Sequence, residues 1–146
     1  MILIELFAGV GGFRLGFEGQ KRKARHYSAT SRYKKRIPFE GAIVTGYSNQ
    51  WEPGAKFQIA SEVYKAKFGE EGHDNTDISV VSGSKILNTI RDVIPEERFE
   101  EEIILAGGFP CQDYSVANGL HTSKGLIGRK GVLWWDIYRI ISPLKR

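Results

Sequence analysis

The feature that most constrains the fold is a short apolar run broken by glycines. Ile2-Leu3-Ile4-Glu5-Leu6-Phe7 is strand-like, Gly9-Val10-Gly11-Gly12 closes it, and Phe13-Arg14-Leu15-Gly16-Phe17-Glu18 follows as a short helix. Glycines between a strand and a helix let backbone approach a ligand and aim the helix N-terminus at it, as nucleotide and dinucleotide sites require. A purely structural tight turn is the alternative, because Gly9-x-Gly11-Gly12 is not the full dinucleotide fingerprint. The polar group expected about 20 residues on, at the end of a second strand, is Gln50, once a basic insertion is set aside.

The same alternation continues along the chain. A second strand is expected over Gly41-Ala42-Ile43-Val44-Thr45-Gly46, ending near Asn49-Gln50-Trp51. From Lys56 to Phe68, the residues Phe57, Ala60, Val63, Tyr64 and Phe68 recur at helical spacing and predict one apolar face. Val80-Val81 reads as a third strand or its end. Ile86, Leu87, Ile90, Val93 and Ile94 mark an amphipathic helix stopped at Pro95, and Ile103-Ile104-Leu105-Ala106 is the next strand. A last helix runs through Leu133, Ile137, Ile140 and Ile141. Alternating strands and helices predict an α/β fold with a doubly wound parallel sheet.

Composition excludes several classes. The chain of 146 residues is 41% apolar and 26% charged, as globular domains are. It contains no apolar run of the roughly 18 residues that a membrane helix needs, and its first residues do not resemble a secretory leader. A cytoplasmic protein without membrane contact is expected. The net charge of +4 is uneven: Lys21, Arg22, Lys23, Arg25, Arg32, Lys34, Lys35 and Arg36 crowd the stretch from 20 to 39, which has no acidic residue. Such a block contacts a polyanion or forms a solvated loop. His26, His73 and His121 show no metal-ligand spacing, so no metal site is expected and all three are read as surface residues.

The single cysteine lies just past a strand, in Gly107-Gly108-Phe109-Pro110-Cys111-Gln112. A lone cysteine is often a small core hydrophobe. Here glycines precede it and Gln112, Asp113 and Ser115 follow, at the strand end where open α/β sheets place ligands, so a reactive thiolate is the sharper reading.

Two long motifs in this order, Leu6 to Glu18 and Gly107 to Ser115, closely resemble the DNA (cytosine-5-) methyltransferases. Supporting matches are Ser48-Asn49-Gln50-Trp51, Ala60 to Tyr64, Asp77-Ile78, and Gly131 to Ile137 with Arg139-Ile140-Ile141. The resemblance covers nearly all of the chain except the basic insertion at about 20–40. It implies a Rossmann-like methyltransferase fold using S-adenosyl-L-methionine, here incomplete, and methyl transfer to carbon 5 of cytosine in double-stranded DNA.

By the same resemblance, Cys111 is the nucleophile, with Pro110, Gln112 and Ser115 near the base or DNA. Phe7, Gly9, Gly11 and Gly12 line the cofactor; Gln50 reaches its ribose; Trp51 packs on its adenine. Asp77 accepts from the adenine amino group, and Ile78, Pro110 and Leu133 complete the apolar walls. The family usually carries an aspartate where Glu5 stands and a carboxylate where Gln50 stands.

The family's Glu-Asn-Val motif, target-recognition region and closing segment have no counterpart in these 146 residues. Residues 1–146 are therefore expected to be the N-terminal part of a catalytic domain, from a restriction-modification system, either as a truncated chain or as one piece of a split enzyme that works with a complementary C-terminal chain. A non-catalytic module that retains cofactor or DNA affinity is the alternative. Open apolar surface is expected beside the strand ending at Ala106 and on the helix holding Leu133, Trp134, Trp135 and Ile137.

Overall fold

The computed structural model describes residues 1–19, 42–108 and 133–144. Its strands are β1 (Ile2–Leu6), β2 (Val44–Asn49), β3 (His73–Asp74) and β4 (Ile103–Gly107). Its helices are α1 (Gly12–Glu18), α2 (Ile59–Phe68), α3 (Gly83–Val93) and α4 (Leu133–Leu144). All strand pairs are parallel, in the order β3-β2-β1-β4. The expected Rossmann-like α/β architecture is present.

The two-residue side-chain period of β1 sorts its residues onto two faces. Ile2, Ile4 and Leu6 join Ile86, Ile90 and Ile94 of the α3 region and Ile137 and Ile140 of α4 in one buried cluster. Glu5, on the opposite face, meets Tyr64 of α2 and the first turn of α1. Burying each of those isoleucines is worth about 1.5–3 kcal/mol, so the α3–α4 face carries most of the apolar stabilisation.

A bulge in β2 keeps that face apolar. Leu3 pairs with Thr45 but Ile4 pairs with Tyr47, so Gly46 is an extra residue. A Cβ on Gly46 would lie 2.8 Å from Ile2 Cγ2 and 3.0 Å from Ile90 Cγ1, which explains why glycine stands there. The Glu18 carboxylate serves the bulge by accepting from the Thr45 amide at 2.6 Å and pairing with Arg14 at 2.9 Å.

Three local expectations are corrected. The third strand is not Val80-Val81 but His73–Asp74; Ile78–Val80 is a 3-10 turn capped by Asp77. Helix α2 starts at Ile59 rather than Lys56, because the Gln58 side chain both accepts from the Glu52 amide and donates to the Glu52 carbonyl, at 2.8 Å each. Its buried side is Ser61 and Tyr64, while Phe57 and Val63 are exposed. By contrast, α3 spans the expected apolar positions from Ile86 to Val93 and ends just before Pro95, with Ser82 as N-cap.

Among the described residues β4 pairs only with β1 and forms one edge of the sheet. On α4, Ile137 is buried and Leu133 packs on the core, whereas Trp134, Trp135 and Tyr138 are 44%, 53% and 56% exposed. The expected open face of α4 is thus found at the tryptophans but not at Leu133 or Ile137. No helix among the described residues is long and apolar enough to cross a membrane.

Candidate functional site

Parallel strands bring their carboxyl ends to one edge, and there the candidate residues gather. Past β1 the backbone turns sharply: Phe7, Gly9 and Gly11 all have positive φ, at 55°, 56° and 85°. For a non-glycine residue such as Phe7 this conformation is uncommon and must be held by its surroundings. The turn is pinned by Ala8 N–H to the Asn49 carbonyl and Gly11 N–H to the Ala8 carbonyl, each at 2.9 Å. A Cβ at Gly11 would collide with the Phe68 ring, whereas one at Gly9 or Gly12 would meet nothing within 4 Å among the described residues. The turn is therefore closely backed by α2 at Gly11.

Gln50 is buried at the end of β2, and its Oε1 accepts from the Gly9 amide at 2.7 Å. Gln50 N–H donates to the Asp74 carbonyl, and the Asn75 side chain donates to the Gln50 carbonyl. The Nε2 group of Gln50 has no hydrogen-bond partner among the described residues. Trp51 follows, half-buried.

Behind the turn sits Glu5, completely buried. Its Oε1 accepts from the amides of Phe13 at 3.1 Å and Arg14 at 3.2 Å, and its Oε2 from the Tyr64 hydroxyl at 3.1 Å. Burial pushes the Glu5 carboxyl above its ordinary value, while the hydrogen bonds to Arg14, Tyr64 and Phe13 pull the other way. Tyr64 is itself pushed up to about 12 by burial, so it remains a donor. Sequence reasoning gave neither residue this role. The signal was there: a carboxylate facing inward in an apolar strand requires donors.

His73 is a second correction. It is not a surface residue: its ring stacks on Tyr64 with centroids 4.4 Å apart, and its Nδ1 and Nε2 lie 2.8 Å from the hydroxyls of Ser48 and Ser61. Burial, followed by nearby Lys65, lowers its pKa. No cluster of metal-ligating side chains occurs among the described residues.

Past β3, Asp77 caps the 3-10 turn, its Oδ1 accepting from Ser79 N–H at 3.0 Å. Its second oxygen has no partner among the described residues. Ile78, expected in a site wall, is buried in the core cluster. Past β4, a Cβ on Gly107 would lie 3.9 Å from the Phe7 ring and one on Gly108 3.6 Å from the Phe13 ring. Leu133 opens α4. The structure thus joins Gly9 directly to Gln50 and sets Phe7 beside Gly107; Trp51 and Asp77 share that edge of the sheet without a hydrogen bond to the glycine turn. Pro110, Cys111, Gln112 and Ser115 lie outside the described residues, as does the basic insertion.

These features fit a nucleoside-bearing ligand. Among the described residues, nothing lies within 4 Å of where a Cβ would stand at Gly9 or Gly12. Beside the turn stands the side-chain amide of Gln50, and Asp77, at the start of the 3-10 turn, carries a further carboxylate oxygen.

The family model described as C-5 cytosine-specific DNA methylase matches residues 1–145. Type II methyltransferase M.Sau3AI of Staphylococcus aureus is 41% identical over 140 residues, covering 96% of this chain and 27% of that protein. Type II methyltransferase M.HhaI of Haemophilus parahaemolyticus is 32% identical over 142 residues, 97% of this chain and 30% of its own length. Type II methyltransferase M.HaeII of Haemophilus aegyptius is 29% identical over 142 residues, 97% and 31%. The chain therefore spans between 27% and 31% of the length of these relatives.

Proposed function

Because the chain belongs to the C-5 cytosine-specific DNA methylase family, we propose that it is the cofactor-binding, nucleophile-bearing part of a Type II DNA (cytosine-5-) methyltransferase. The observation that carries the reading is the glycine turn after β1, held by Gln50 across the strand ends, with no described residue within 4 Å of where a Cβ would stand at Gly9 or Gly12. Double-stranded DNA is the substrate and S-adenosyl-L-methionine the methyl donor, in the cytoplasm and at the nucleoid.

The cofactor supplies an electrophilic methyl group. Phe7, Gly9, Gly11 and Gly12 hold its methionine and adenosine side, Gln50 donates to a ribose oxygen, Trp51 stacks on the adenine, and Asp77 accepts from the adenine amino group. Pro110 and Leu133 close the apolar wall; Ile78 supports it from the core. Cys111 would add as a thiolate to carbon 6 of cytosine, making carbon 5 nucleophilic toward the methyl group, whose bond to the cofactor's sulfonium breaks to leave the thioether; loss of the carbon 5 proton then expels the Cys111 thiolate from carbon 6 and restores the ring. A free thiol titrates at about 8.5, so the neighbours Pro110, Gln112 and Ser115 would have to favour the anion. The target base leaves the duplex to reach the sulfur, at a cost of a few kcal/mol.

The second partner is a complementary C-terminal methyltransferase chain. Its support is the exposed Trp134, Trp135 and Tyr138 and, among the described residues, the edge position of β4. The test is to express this chain with the remainder of the enzyme and follow label from methyl-tritiated S-adenosyl-L-methionine into DNA. Incorporation as 5-methylcytosine supports the proposal. Cofactor binding without incorporation would favour a non-catalytic binding module.

A further inference from the structure

We infer that Arg139 is a positioning residue for adenine recognition, acting from α4 on the turn that carries Asp77; this rests on the reading of Asp77 given above. Arg139 Nη1 donates to the Val81 carbonyl at 2.6 Å, and Nη2 to the carbonyls of Ile78 at 2.8 Å and Ser79 at 3.3 Å. Asp136, one helical turn earlier, orients the guanidinium at 3.2 Å.

Those carbonyls belong to the short turn whose first amides Asp77 caps. Its carbonyl side has no helix to continue into, and a planar guanidinium with a fork of donors can satisfy several carbonyls at once, as a lysine ammonium on a flexible stem does not. The turn is held from two further sides. Ile78 and Val81 are sunk in the core, while the Asp77 carboxylate is tied through Oδ1 to Ser79. With Arg139 in place, the direction of the remaining Asp77 oxygen is set; without it, only the two apolar anchors and the cap remain.

The readout is discrimination between two ligands. In the enzyme assembled from this chain and its complement, S-adenosyl-L-homocysteine and its inosine counterpart, which carries an oxygen in place of the adenine amino group, are titrated calorimetrically. Wild type should prefer the adenosine ligand by about tenfold or more, the range for a hydrogen bond to a charged acceptor. Arg139→Lys and Arg139→Gln should reduce that preference to about threefold or less, with affinity for the inosine ligand unchanged. In Asp77→Asn, where the preference is already gone, adding Arg139→Lys should change nothing further.

Should the Arg139 variants not fold, Asp136→Asn, which removes only the orienting carboxylate, should lose part of the preference. Full wild-type preference in the folded variants overturns the role of Arg139. A wild type that binds neither ligand, or both equally, overturns the reading of Asp77 instead.

Discussion

The Gly9 amide donates to Gln50 Oε1 at 2.7 Å, joining the turn after β1 to the end of β2. This one bond commits the acceptor of the Gln50 side chain to the protein, and its Nε2 donor has no partner among the described residues. Replacing the side chain therefore affects both the shape of the turn and the contact offered. Gln50→Ala should weaken cofactor binding by about tenfold, the worth of one hydrogen bond near 1.4 kcal/mol. Gln50→Glu keeps an acceptor for Gly9 and adds charge assistance toward a ribose hydroxyl. It should bind as tightly as wild type or more so, as calorimetry will show.

Glu5 supplies a pH dependence of definite sign. Burial raises its folded-state pKa above the ordinary 4.5, so the folded protein holds a proton that the unfolded chain releases first. Its contribution is complete below about 4.5 and is lost as pH rises through the raised folded value. Thermal melts across this window should show a stability decline with rising pH that Glu5→Gln abolishes. Tyr64→Phe removes a donor to the carboxylate and should steepen the decline.

His73 acts in the opposite sense. Its folded pKa lies below the ordinary 6.5 because the ring is buried and Lys65 is near. Stability from the neutral ring is intact above 6.5 and is lost as pH falls through the depressed value, since the unfolded chain takes up the proton first. Unfolding by urea at stepped pH should show this loss, and His73→Gln should flatten it.

Gly46→Ala should destabilise by about 1–3 kcal/mol, the usual cost of forcing a methyl into a packed core. The new Cβ would press on Ile2, Ile90 and Ile94 together, and those side chains already fill the space between sheet and α3. Equilibrium denaturation of the assembled protein measures the difference directly.

The exposed tryptophans make a prediction about the chain by itself. Trp134, Trp135 and Tyr138 on α4 present apolar surface, and among the described residues β4 stands at the sheet edge. The chain alone should self-associate, and adding its complement should yield a soluble pair on size-exclusion chromatography. A monodisperse, cooperatively melting monomer would contradict this.

Much of this architecture was legible in the sequence because apolar periodicity and glycine spacing carry it. The β1 turn, α3 and β4 all stand where those signals put them. The failures have physical causes. Val80-Val81 reads as a strand from composition, but only Val81 is buried and Val80 faces solvent beside the Asp77 cap. The true third strand, His73–Asp74, is polar: it meets Ser48 and Tyr47 through hydrogen bonds rather than apolar contact. Single-sequence patterning has no signal for that kind of edge. At the site, motif spacing gave the glycines and Gln50, but the supports contributed by Glu5, Tyr64 and Arg139 come from elements far apart in the chain. The roles of Cys111 and its neighbours rest on family resemblance.

The central claim is that Cys111 is the nucleophile of a cytosine methyltransferase, and a covalent trap tests it most directly. The chain and its complement are incubated with S-adenosyl-L-methionine and DNA containing 5-fluorocytosine, whose fluorine cannot leave as a proton does. A protein–DNA adduct that survives denaturation, maps to Cys111 by mass spectrometry and disappears in Cys111→Ser is the predicted result. An adduct that persists in Cys111→Ser, or methylation of cytosine that proceeds without Cys111, would contradict the account.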